Sequence, residues 1–533
     1  MDMGRSKAAS HADLVVRLAR QITHASSGVL LLGGLCSGTA VARDWVFTPR
    51  LSVSEIYTDN AELEPSGQED SDLITVITPG FTLRREAARL KLKVDYQAQS
   101  LIYVEDDDAN RVNHGLNGTM NAELREDLVF LDASARMSQA IVDARAPQSL
   151  DGIGGGRNLT DVQAYSISPY LLHNFSNYFN GTLRVGHERV YTDNTIQTSE
   201  SNFVTGALNS GVNFGLLDWS LNYLKRREDR GSRDRLDRES IDANVAYRLH
   251  PKLSLVAEGG REDNDYGSTR IAQNGSYWAA GATWTPNRYL SLTALEGDRY
   301  KSGTVRLTPG QRTSLLVSYR ERQVGLNPGS VWSGSFRHRT RRTVWQLNYF
   351  EDTQTTQRAL IDSLALQDAA QDAFNAGDFF LDADGNIILN VDPFDFFSLR
   401  EEVFERKRGQ ASASYRTGKS IFALSAFTEE RDFLESNLIG DVADTEKSRG
   451  ATAHWRWQFS GLSHTNVRGG WRRTEFSSDG REDDRWYVDT LLARTLSRNA
   501  TGSVGYRFTR NDSTQGSAEY TENRIIVRLD IEF

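Results

Sequence analysis

The residues best suited to chemistry in this chain are scattered. Its 9 histidines lie far apart in 533 residues, and neither a G-x-S-x-G elbow nor an H-E-x-x-H pair of metal ligands occurs. His114 and His187 could meet a carboxylate across a rim, but any acidic chain offers such pairs, so an enzyme is not the expectation. The run GIGGGRN (152–158) could cradle a phosphate only between a strand and a helix; it has neither flank and reads as a mobile loop. The stretch DADGN (382–386) hints at calcium, but the first ligand of an EF-hand-like loop would fall on Phe380, which favours a tight turn. No cofactor and no metal is expected.

What does recur is charge at every second position. In RLKLKVDYQAQS (89–100), Lys91, Lys93, Asp95 and Gln97 alternate with Leu90, Leu92, Val94 and Tyr96. ATAHWRWQF (451–459) sets Arg456 and Gln458 against Trp455, Trp457 and Phe459, and GSVGYRF (502–508) sets Arg507 against Tyr506 and Phe508. The end of the chain, NRIIVRLDIEF (523–533), places Arg524, Arg528, Asp530 and Glu532 on one face and Ile525, Val527, Leu529, Ile531 and Phe533 on the other. A period of two is the mark of a strand with unlike faces. Lysine and arginine on the inner face of a soluble sandwich would be desolvated at a cost of several kcal/mol each. A barrel with water inside and lipid outside satisfies both faces. The expected lumen-lining residues are therefore Lys91, Lys93, Asp95, Gln97, Arg456, Arg507, Arg528 and Asp530. Phe533, preceded at alternate places by Ile531, Leu529 and Val527, resembles the closing-strand signal that barrel-assembly machinery recognises in bacterial outer-membrane barrels.

Composition agrees. The chain is 25% charged with a mean hydropathy of −0.52, and after residue 42 nothing approaches the ~20 apolar residues of a spanning helix. The start differs: SSGVLLLGGLC (26–36) follows Arg5, Lys7, Arg17 and Arg20, and Ala40 and Ala42 frame an A-x-A site, so residues 1–42 read as an export signal cut after Ala42. Cleavage removes Cys36, the only cysteine, which suits an oxidising compartment. It also removes 4 of the 62 basic and 2 of the 71 acidic residues, leaving 58 against 69 and a net charge of −11. Nucleic acid is an unsuitable partner for such a surface.

The connections come in two kinds that take turns. Short ones, such as YRLHPKLSL (247–255) and YRTGKSIF (415–422), alternate with acidic stretches such as RREDRGSRDRLDRES (226–240) and FSSDGREDDR (476–485). The expected fold is all-β: a transmembrane antiparallel up-and-down barrel of about 24 strands, within a range of 18–26, with short periplasmic turns and long extracellular loops. It occupies residues 43–533, its first strand falls near Leu51, and the segment at 303–308 is its weakest strand. The long insertion at 352–401 contains a helix-forming stretch, 355–377, and reads either as a lid across the lumen or as an extracellular flap.

Four stretches, FTPRLSVSEIYTDNAEL (47–63), LITVITPGFTL (73–83), LKVDYQAQSLIY (92–103) and YRTGKSIFALSAF (415–427), resemble the outer-membrane β-barrel family associated with PEP-CTERM protein sorting and exopolysaccharide gene clusters. The resemblance implies the bacterial outer membrane as location, lipid and the assembly machinery as partners, polysaccharide and periplasmic export components as company, and a porin-like role in passing the polymer. It carries no catalytic residues. The mixed signs of the expected lumen suit a neutral or weakly charged solute. The alternative is a structural or adhesive barrel whose acidic loops bind a surface partner. A TonB-dependent transporter is the least favoured variant, because only residues 43–50 precede the expected first strand and no plug fits there.

Overall fold

The computed structural model describes residues 45–147, 149, 151–155, 158–193, 198–230, 235–265, 272–326, 328–362, 403–434 and 445–533. The export signal at 1–42 and the DADGN turn at 382–386 lie outside the described residues. Within them, 24 antiparallel strands form one sheet in which each pairs with its neighbours in chain order. The sheet closes on itself, because the first strand, Trp45–Thr58, pairs with the last, Tyr520–Glu532, from Arg50 opposite Glu532 to Thr58 opposite Arg524. Closure leaves no free edge, which is what a sheet in hydrocarbon requires. The first strand starts at Trp45 rather than near Leu51, and the weak segment at 303–308 lies inside a full strand, Tyr300–Gly310.

Alternation decides which face meets what. Exposed apolar side chains occupy one parity, among them Leu73, Leu347, Leu424, Val504, Ile525 and Val527. The other parity is polar or charged. Aromatic rings mark both borders of the outward belt. Near the short turns Tyr415, Phe422, Trp455 and Trp457 stack in sequence across neighbouring strands, and toward the long connections Tyr57, Trp278, Trp332 and Trp486 are exposed. Such rings keep an apolar part in lipid and a polar part in water. The protein is an outer-membrane β-barrel.

Most strands run 13 to 17 residues, as in Val129–Ile141 and Leu159–Phe175. About 9–11 suffice to span a bilayer, so the wall rises beyond the membrane on the side of the long connections. This shortens the loops expected from charge alone. Much of 226–240 is strand, Leu217–Asp229 and Leu236–His250, with Arg227 and Asp237 paired at 2.8 Å and Lys225 and Glu239 at 2.8 Å across the ladder. Above the lipid, charge on both faces costs little and cross-strand ion pairs favour the ladder. Sequence charge marked the membrane border, not the strand end.

The outward assignment yields a direct expectation. Trp457 sits one place from the end of Thr445–Gln458 and so at the interface, whereas Leu347 lies in the middle of Thr343–Thr355. Leu347→Arg should destabilise the barrel by ~2–4 kcal/mol, while Arg at the inward neighbour, Asn348, should be tolerated. Urea titration of both variants in lipid checks this, and equal losses at the two positions would contradict the face assignment.

Candidate functional site in the barrel lumen

The eight expected lumen residues share the inward face. Lys91, Lys93, Asp95 and Gln97 lie on Leu90–Tyr103, where Lys93 contacts Asp95 at 2.8 Å and Thr82 donates to Asp95 at 2.5 Å. Gln97 packs over Gly80 and Gly115, whose missing side chains leave it room. Arg528 donates to Ser54 at 3.1 Å across the closing seam, one place inward of Asp530 in the alternation. Arg456, Arg507 and Arg528 lie on Thr445–Gln458, Ala500–Ser513 and the last strand, within one continuous arc of wall. His114 and His187 stand on the outward face instead, against the Tyr96 hydroxyl and the Asn202 amide oxygen at 2.9 Å each.

The arc has a sign. From Tyr300 to Glu532 the inward positions carry about two arginines for every carboxylate, whereas from Trp45 to Asp298 the two signs nearly balance. At its closing end one row runs across neighbouring strands as His454, Arg468, Asp489, Arg507 and Arg524, and on to Thr58 of the first strand. Arg524 and Arg507 face each other directly, and both are buried. Two like charges in register repel unless something stands between them.

A connection supplies that something. The segment between Val129–Ile141 and Leu159–Phe175 folds into the barrel, and its Asp151 reaches both guanidiniums, 2.5 Å from Arg507 and 2.8 Å from Arg524. Asp489 holds Arg507 and Arg468 at 2.9 Å each, and Glu522 holds Arg524 while accepting from Thr58 at 3.0 Å. Around the latch, Arg111 donates to the Gly152 carbonyl at 2.8 Å, the Tyr103 hydroxyl donates to the Ile153 carbonyl, and Ile153 packs on Ile56, Ile74, Val76 and Leu101. Two glycines make the approach possible. A Cβ on Gly154 would collide with the Arg524 guanidinium, and Gly155 has φ +61. The described part of GIGGGRN is thus a docked wedge rather than a mobile loop. Further along, Arg481 donates to the Arg145 carbonyl at 2.6 Å, and Arg145 lies over the Phe476 ring at 4.9 Å.

A second connection enters from elsewhere on the ring. Residues 356–362 are helical, with the Thr355 hydroxyl accepting the Arg358 N–H at 3.2 Å as a cap. The helix leaves Thr343–Thr355 and lands nearly opposite in the ring of 24 strands. There Leu360 packs on Val162, Ala164 and Val190, and Arg358 lies 3.5 Å from Glu188. The described beginning of the long insertion therefore lies inside the ring, where Leu360 meets Val162, Ala164 and Val190 and Ala359 meets Phe404 and Phe433. Residues 363–402, including most of the expected helix, lie outside the described residues.

The latch has a pH dependence of known sign. Burial alone pushes the Asp151 carboxyl up, but Arg524 and Arg507 outweigh it and hold the group well below the usual carboxylate range. A depressed pKa contributes stability that is complete above the ordinary value near ~4 and is lost only as pH falls through the folded value. The wedge should stay docked from neutral pH to below pH ~4. Asp151→Ala should release it at neutral pH, costing roughly 1–3 kcal/mol of local stability and raising hydrogen exchange at 151–155 without unfolding the wall. Exchange unchanged in the variant, or wild-type release at pH ~5, would contradict the latch.

No family model matches this sequence, and no curated protein matches it. Among solved structures the chain is similar to the FrpB iron transporter from Neisseria meningitidis, with a TM-score of 0.47 and 9% identity over 92% of this chain and 82% of that one. It is also similar to the siderophore receptor PirA from Pseudomonas aeruginosa, with a TM-score of 0.41 and 11% identity over 91% and 80%. OmpT, an outer membrane protein of Vibrio cholerae, gives a TM-score of 0.25 and 7% identity over 63% and 98%. The barrel assignment stands on the strand pairing and the two faces described above.

Proposed function

We propose that the protein is a gated passage through the outer membrane, and that the solute passed is an exopolysaccharide on its way out. The supporting observation is the pair of inward connections. A barrel that served only as an anchor or adhesive would gain nothing from a wedge latched to buried arginines and a helix packed inside its ring. A ring of this size cannot fill itself with its own wall side chains, so whatever enters it from the connections sets the bore. Carbohydrate suits the wall between the charges, where hydroxyl ladders such as Thr283 with Thr293 at 2.8 Å and Thr304 with Ser318 at 3.2 Å offer both donors and acceptors. The resemblance to barrels associated with PEP-CTERM sorting and exopolysaccharide clusters supports the same reading.

Deleting the gene from its host tests this. The expected result is polymer retained in the periplasm and lost from the surface, restored by the wild-type gene. Normal surface polymer, together with lost attachment to a surface partner, would favour an adhesive barrel with an acidic rim.

A further inference from the structure

We infer that the solute is a polyanion, specifically a glycan chain bearing carboxylates, for which the arginine-rich arc from Tyr300 to Glu532 is the track. This rests on the passage reading above and departs from the neutral solute that the mixed signs of the sequence suggest.

The first observation is a separation of charge. The whole chain is acidic, with a formal net charge of −9, yet the inward positions of this arc are strongly basic. The excess acid therefore lies elsewhere. Part of it stands on outward positions near the outer rim, such as Asp237, Glu239, Asp263, Glu430 and Asp484. A channel wall of one sign in a low-dielectric surround concentrates solutes of the opposite sign and excludes its own. At the inward positions of the arc the lysine-or-arginine places are all arginine, while Lys301, Lys407 and Lys447 face outward. Guanidinium meets a carboxylate through two parallel donors and gives up its water more readily than an ammonium, so a row of them can hand a carboxylate from one fork to the next.

The second observation is independent of the count. Where two arginines face each other in the wall, the chain's own Asp151 carboxylate is seated between them, within 2.8 Å of both. That seat is a carboxylate site by construction, presented by the wall and filled from a connection. A uronate group arriving along the arc has the same chemistry as Asp151 and can compete for the same two guanidiniums. Binding of the solute and undocking of the wedge would then be one exchange.

Purified full-length protein in planar bilayers separates the outcomes. In a KCl gradient the reversal potential should show chloride permeating at least about twofold better than potassium. The double variant Arg456→Glu, Arg528→Glu changes two half-buried inward positions and should lower that ratio by about half or reverse it, with folding checked by heat-modifiable migration. Oligogalacturonate added to one side should block the current at concentrations where neutral maltooligosaccharides of equal length do not. A conducting barrel that prefers potassium, or that both oligosaccharides block equally, would overturn the polyanion inference and leave the passage intact. No current under any condition would remove the passage and the inference with it.

Discussion

Removing residues 356–402 and joining Thr355 to Val403 through a short Gly/Ser linker should leave a folded barrel that passes small sugars several-fold faster than the wild type. Folding should survive because Thr355 and Val403 are already cross-strand partners at the top of a regular antiparallel ladder, so the linker closes an ordinary hairpin. Loop-closure entropy changes slowly with length and favours the shorter connection slightly. The loss is the packing of Ala359 on Phe404 and Phe433 and of Leu360 on Val162, Ala164 and Val190, together with the Arg358–Glu188 contact. Those contacts belong to the helix and not to the ladder, so the wall keeps its hydrogen bonds. Cells carrying the variant should become sensitive to large antibiotics that the wild type excludes. Sugar uptake by liposomes at the wild-type rate would place the helix outside the passage.

Deleting Phe533 should reduce the protein in the outer membrane more than tenfold, although its energetic contribution in the finished barrel is small. The ring is largely exposed on the outward face, and the residue adds one backbone bond, its N–H to the Pro49 carbonyl at 3.0 Å. Such a bond is worth about 1 kcal/mol, against a closing ladder that runs from Arg50 with Glu532 to Thr58 with Arg524. A large loss in cells therefore has to come from recognition during assembly. The control is refolding into detergent, where the truncated chain should fold as the full chain does. Normal amounts of the deletion variant in the outer membrane would remove Phe533, with Ile531, Leu529 and Val527, from the role of assembly signal.

The faces of this barrel were legible because lipid and water differ so strongly in what they tolerate. Lys91 and Leu92 could not exchange places at small cost, and a period of two carries that difference along the whole strand. Twelve or so hairpins could be counted for the same reason. Strand ends were less legible, since above the membrane Arg226 and Glu239 are as acceptable in a strand as in a loop. The latch could not be read at all. Asp151 meets Arg507 and Arg524 across more than 350 residues of chain, and no local pattern reports such a distance. One signal was present, the glycine run at 152–156, which marks backbone that must pass close to something. The helix at 356–362 was foreseen from its spacing, but its landing on Val162 and Val190 depends on the closure of the ring, which only the full strand order reveals.

Single-channel conductance in planar bilayers tests the gated passage most directly, when the wild type is recorded beside Asp151→Ala and the 356–402 excision. The expected result is small or infrequent openings in the wild type, more frequent openings when the latch is cut, and a large steady conductance when the helix is gone. Equal currents in all three would show that neither connection controls the bore, and silence in all three would show that the barrel is not a passage.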